Sequence, residues 1–165
     1  MALNNLSDVY HDQLQDLVSA CKQSHGVTRE LADAAKHEGL KSALNAGADG
    51  IKDGFEALEK LCKDHEIDPM GEHCKGMEGL VAEARAHGLE SDFGDADAQD
   101  AMIITQYQRM VHYALAGYGC LVAFAKRLGL EDDAHVLQKL LDDTYDGDRT
   151  MTHIATEEGV NKAAA

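Results

Sequence analysis

Apolar side chains recur three and four residues apart along most of this chain, and no stretch alternates apolar with polar residues as a half-buried strand would. The pattern predicts helices throughout. Tyr10, Leu14, Leu17 and Cys21 share a stripe that continues through Val27 or Thr28, Leu31 and Ala35, with Ser7 as N-cap and Asp8 in the first turn. This first helix reaches about His37, bent near Gly26. A second helix carries Leu40, Leu44, Ala48, Ile51, Phe55, Leu58 and Cys62 and ends near His65, ahead of Asp68-Pro69-Met70-Gly71. A short helix fits residues 76–87, with Met77, Leu80 and Val81 inward and Gly88 as its stop.

The acids of residues 91–97 suit the positive N-terminal end of a third long helix, from about residue 96 to 127. Its stripe is Ile104, Tyr107, Val111, Ala114, Tyr118, Leu121, Ala125 and Leu128. After Gly129, the acids Glu131, Asp132 and Asp133 open a fourth, carrying Leu137, Leu141, Thr144, Asp148, Met151 and Ala155. Four long amphipathic helices and a short fifth predict an all-α antiparallel four-helix bundle over residues 1–160, with the short helix across one end. Residues 161–165 read as a frayed tail.

Composition narrows what such a bundle does. At 165 residues the chain suits one domain, able to bury roughly 70% of its unfolded surface. Thirty acids against fifteen Lys plus Arg give a net charge of -15, which repels phosphate backbones and anionic headgroups, so neither nucleic acid nor membrane is an expected partner. Aromatics at 5% leave few platforms for stacked bases. The longest run free of charged or strongly polar residues, 114–125, falls short of the ~20 residues that span a bilayer. No basic stretch or apolar run marks a secretory signal at the start, and four irregularly spaced cysteines do not form a disulfide framework; a cytoplasmic protein with reduced thiols is expected.

Three segments carry a resemblance. Tyr10-His11-Asp12-Gln13-Leu14-Gln15-Asp16-Leu17-Val18-Ser19-Ala20, then Cys74-Lys75-Gly76-Met77-Glu78-Gly79-Leu80, then His112-Tyr113-Ala114 followed by Tyr118-Gly119, resemble the YciE/YciF ferritin-like family in order and spacing. The resemblance implies a bacterial, stress-associated ferritin-like bundle, often dimeric, with a core built for two metal ions. In di-iron bundles, Glu residues and Glu-x-x-His pairs converge from four helices. By the same resemblance, the ligand positions here hold Cys21 on the first helix, Gly47 and Gly50 on the second, Val111 and Ala114 on the third, and Thr144 or its neighbour Asp143 on the fourth; Gly54 replaces a further polar residue. Only His112, Asp148 and Asp143 remain as residual candidates, too few for the four to six ligands such a cation takes. A degenerate member without metal or other cofactor is expected, its vacated positions Cys21, Gly47, Gly50, Val111 and Ala114 being candidates to line a small apolar pocket.

Other constellations are weaker. Asp148 on a core stripe calls for a hydrogen bond to Tyr107, Tyr118 or His112. Cys62, His65, His73 and Cys74 have a zinc-like spacing, although adjacent His73 and Cys74 seldom face one ion. Cys21 with Cys120 is a conceivable redox pair, but no base on the inward stripe activates either thiol. There is no Ser-His-Asp order, phosphate loop or dinucleotide fingerprint. The stripe Ala43, Gly47, Gly50, Gly54 and Ala57 favours helices closing on one another, with an unclosed apolar pocket as the alternative.

Three functions follow from these readings: a non-catalytic, stress-associated structural or interaction protein, favoured over a carrier of a small apolar ligand or an iron-handling or peroxide-related oxidoreductase with a rearranged site. A homodimer is expected from the resemblance and from Met102, Met110 and Phe124, read as outward-facing.

Overall fold

The computed structural model describes residues 3–165, and among these every regular element is helical. Four long helices, α1 (Leu6–Ala34), α2 (Glu38–Asp64), α4 (Ala96–Leu128) and α5 (Glu131–Thr156), make the bundle, with shorter α3 (Lys75–Gly88) and α6 (Val160–Ala163). Leu14 and Leu17 of α1, Leu40, Leu44 and Leu58 of α2, Ile103 and Leu121 of α4, and Leu137 and Met151 of α5 are all fully buried. All but Ile103 are positions that the helical period placed on one face of each segment; on α4 the stripe held its neighbour Ile104, itself 4% exposed. No helix among the described residues is long and apolar enough to cross a membrane.

The first boundary differs from expectation at both ends. Asn5, not Ser7, caps α1, its side chain accepting from the Asp8 amide at 3.0 Å. The helix is continuous through Gly26 and stops at Ala34, three residues before His37. The cause lies sixty residues away. Asp100 of α4, 1% exposed, accepts from the Lys36 amide at 2.9 Å through Oδ1 and from the His37 amide at 2.8 Å through Oδ2. Amides held by a carboxylate cannot serve a continuing helix, so the chain reverses there, and His37 caps α2 by accepting from the Leu40 amide at 3.2 Å.

The opposite end is tied by a second acid. The Tyr10 hydroxyl donates to Asp133 Oδ2 at 2.7 Å, and His65 Nε2 lies 2.6 Å from the same oxygen. This joins the start of α1, the end of α2 and the start of α5. Together the two ties fix the chain directions: α1 against α2, α4 against α5, and α2 parallel to α4 across the diagonal.

Returning the chain to the first end is the task of α3. It begins beside Ser19, whose hydroxyl accepts from the Cys74 amide at 3.0 Å, and ends with Gly88 against Leu31 and Ile103. It therefore lies along the groove between α1 and α4 and not across one end of the bundle, because its path must carry the chain from the foot of α2 to the head of α4. The tail also differs from a frayed strand of chain. After Gly159, at φ 95°, the chain makes a helical turn, anchored by Val160 at 2% exposure.

Candidate functional site

Packing is uneven along α5. Its buried residues fall at the two ends, Ala134 and Leu137, then Met151, Ile154 and Ala155, leaving the middle of the helix standing off from α2. Between them opens a cavity of about 570 Å³. Cys21 of α1, Gly47 and Gly50 of α2, Val111 and Ala114 of α4, and Asp143 and Thr144 of α5 all line it. The positions at which the resemblance implies metal ligands thus face one space from four helices.

Small residues have not let the helices close, and the reason is two tyrosines. A Cβ built on Gly47 would sit 2.2 Å from the Tyr107 hydroxyl oxygen, and one on Gly54 would sit 2.8 Å from that of Tyr118. The two glycines are seats for hydroxyls that cross from α4, so Tyr107 and Tyr118 act as struts between the diagonal helices. Gly50, between those seats, is exposed and meets nothing within 4 Å, and across the cavity the α4 residues between the tyrosines are the short Val111 and Ala114. The favoured closure of the glycine stripe is therefore overturned.

The chemistry of the walls is sparse. The Cys21 thiol is pushed up to about 11 by burial, with a partly offsetting contact to the Tyr118 hydroxyl at 3.6 Å. It is a protonated apolar lining group, not a nucleophile. Thr144 donates to its own helix at the Leu140 carbonyl, 2.6 Å away. Tyr107 is 4% exposed and its hydroxyl makes no hydrogen bond with any described residue. Burial, then the charge of Asp148, push that phenol up to about 12, so it stays a neutral donor. At the mouth, Asp143 pairs with Lys139 and Asp49 with Arg29, while Gly50 is exposed.

These donors do not fit two metal ions. One thiol held protonated, one hydroxyl already engaged and three carboxylates exposed at the rim, of which Asp143 and Asp49 are paired with Lys139 and Arg29, fall short of the inward oxygen and nitrogen set such ions need. Among the described residues, no three His, Cys, Asp or Glu side chains are grouped to hold a metal. His112 and Asp148 lie outside the cavity: Asp148 Oδ1 sits 3.1 Å from His112 Nε2 and accepts from Gln108 at the same distance, with the His112 side chain 63% exposed. The hydrogen bond expected for Asp148 is there, at the α4–α5 surface.

The zinc-like set is dispersed. His65 is engaged by Asp133, His73 Nε2 lies 3.2 Å from Glu78, and Cys74 caps α3 with its sulfur 2.9 Å from the Tyr113 hydroxyl. Cys62 is buried separately in the core. Cys21 is buried and Cys120 exposed, so they do not form a pair. Met110, expected on an outer face, is 3% exposed and lines the cavity; Met102 and Phe124 are half-buried. The stripe reading had Tyr107 and Tyr118 in the core but missed their part as struts. Their place on either side of the short Val111 and Ala114, with Gly47 and Gly54 on the small-residue stripe of α2, is the signal the sequence offers.

Residues 5–165 match the model of a family described as a domain of unknown function (DUF892). The chain is 30% identical to protein YciF of Escherichia coli (strain K12) over 165 residues, which is 99% of this chain and 98% of that protein. The crystal structure of the E. coli stress protein YciF superposes with a TM-score of 0.86 at 28% identity, over 93% of this chain and 96% of that one. YcfI of Rhodopseudomonas palustris, for which a structural role has been suggested, superposes at 0.84 with 25% identity, over 90% and 94% of the two chains.

Proposed function

We propose that this chain, which belongs to the DUF892 family, is a non-catalytic, stress-associated ferritin-like bundle with a structural or interaction role in the cytoplasm. One observation carries the proposal: the positions at which the YciE/YciF resemblance implies metal ligands hold Cys21, Gly47, Gly50, Val111, Ala114 and Thr144, and these line a single cavity whose donors do not fit two metal ions. Kinship with the E. coli stress protein supports the stress association, and the suggested structural role of the R. palustris relative supports the second half.

Oxidation of Fe(II) by dioxygen or peroxide is the test. The expected rate with this chain equals that of buffer, and saturable acceleration proportional to chain concentration would overturn the proposal. The assembly we propose is a homodimer, on the family resemblance; the exposed large apolar side chains Leu3, Met70 and Tyr145 are few and give it no further support. Light scattering should read twice the 17.8 kDa chain mass, and the mass of one chain would refute the dimer.

A further inference from the structure

The cavity between α2 and α5 asks for an occupant on two independent grounds. The first is space. At about 570 Å³ it lies in the size range of sites that enclose small organic molecules, and its walls are chiefly methyl, methylene and glycine backbone. It opens to solvent past the exposed Gly50, so a small molecule can enter it without the bundle coming apart. The second is an unpaired hydroxyl. Tyr107 is buried and lines the cavity, yet its hydroxyl finds no partner among the described residues. Among the described residues the buried side-chain polar atom without a partner is His25 Nε2, so the Tyr107 hydroxyl is open to the cavity and can donate to a molecule inside it.

The rim narrows the class further. Asp49, Asp53, Lys139 and Asp143 surround the mouth. With Lys139 paired to Asp143 and Arg29 to Asp49, Asp53 leaves the entrance negative, in a chain of net charge -15. An anion entering the cleft would meet repulsion and, among the described lining residues, no unpaired cation. The lining carboxylates Asp49, Asp53 and Asp143 are all exposed at that rim, so an amine would be held at the entrance and not against the apolar walls. Cys21, protonated and deep in the wall, gives no covalent attachment.

We infer that the vacated metal position is a binding site for a neutral, largely apolar small molecule bearing one hydrogen-bond acceptor, held by the Tyr107 hydroxyl between the two tyrosine struts and entering past Gly50 and Gly147. This goes beyond the proposed structural or interaction role and does not depend on it.

The test uses the full chain and the neutral fluorescent ketone 6-propionyl-2-dimethylaminonaphthalene, whose emission moves to the red when its carbonyl accepts a hydrogen bond. Saturable binding at micromolar probe is expected. Tyr107→Phe should weaken binding about five-fold, the net worth of one neutral hydrogen bond, and shift the bound emission to the blue. Gly50→Leu should remove binding while raising the melting temperature, since a side chain there meets open space. Gly147→Leu, where a side chain likewise meets nothing within 4 Å, should also remove binding from the opposite helix. The anionic probe 8-anilinonaphthalene-1-sulfonate should bind at least ten-fold more weakly than the ketone. No saturable ketone binding, binding unchanged in both leucine variants, an emission unmoved by Tyr107→Phe, or equal affinity for the anionic probe would each overturn the assignment.

Discussion

Asp100→Ala is expected to lower the melting temperature by roughly 6–12 °C, the shift that a loss of about 3 kcal/mol produces in a chain of this size. Asp100 is 1% exposed and spends both carboxylate oxygens on the Lys36 and His37 amides, at 2.9 and 2.8 Å. Truncation leaves two donors of the α1–α2 turn without an acceptor in a place water reaches poorly. Asp100→Asn keeps the shape but only one acceptor oxygen and no charge, so it should fall between wild type and Ala. The neighbouring Lys36–Asp97 pair, with Lys36 59% exposed, is a weak substitute. Thermal denaturation followed by circular dichroism decides this, and an Ala variant within about 2 °C of wild type would mean that the carboxylate does not hold the turn.

The second large effect is at the other end of the bundle. Asp133→Ala should cost about 2 kcal/mol, because it removes at once the acceptor of the fully buried Tyr10 and the partner of His65. Burial, then the bond to Asp133, hold the Tyr10 phenol well above its ordinary range, so it is a donor at every pH where the chain is folded. A double-mutant cycle separates the bond from the packing. Tyr10→Phe and Asp133→Ala combined should fall short of the sum of the single losses by about 1 kcal/mol. Strict additivity would show that the two side chains meet without stabilising each other.

Much of the bundle is legible because helical periodicity records burial directly. Leu14, Leu44, Leu121 and Leu137 are core residues by spacing alone, and each is 0% exposed. What periodicity cannot record is a long-range partner. The break after Ala34 falls in a stretch with no proline or glycine, and it exists because a carboxylate from α4 reaches across. Likewise α3 reads as a short amphipathic helix, but its place along the α1–α4 groove follows from where α2 ends and α4 begins.

The cavity shows the same limit in another form. Glycine at 47, 50 and 54 shows that α2 offers little bulk, but whether helices then close depends on what opposes it. Tyr107 and Tyr118 oppose two of the three, and the third, Gly50, is exposed and faces open space. Propensity gives about 1 kcal/mol against each glycine and says nothing of its neighbour. Met110 misled for a related reason: on a helix as apolar as α4, the inward stripe is wide enough that one more apolar residue does not mark an outer face.

The most direct test of a ferritin-like core emptied of its metal ligands is the metal content of the chain itself. Protein purified without chelator, incubated with excess Fe(II) or Mn(II) under anaerobic conditions and desalted, should carry well below one equivalent of either metal per chain by elemental analysis, with the same value after Asp143→Ala. Two equivalents per chain, lost on Asp143→Ala, would contradict it.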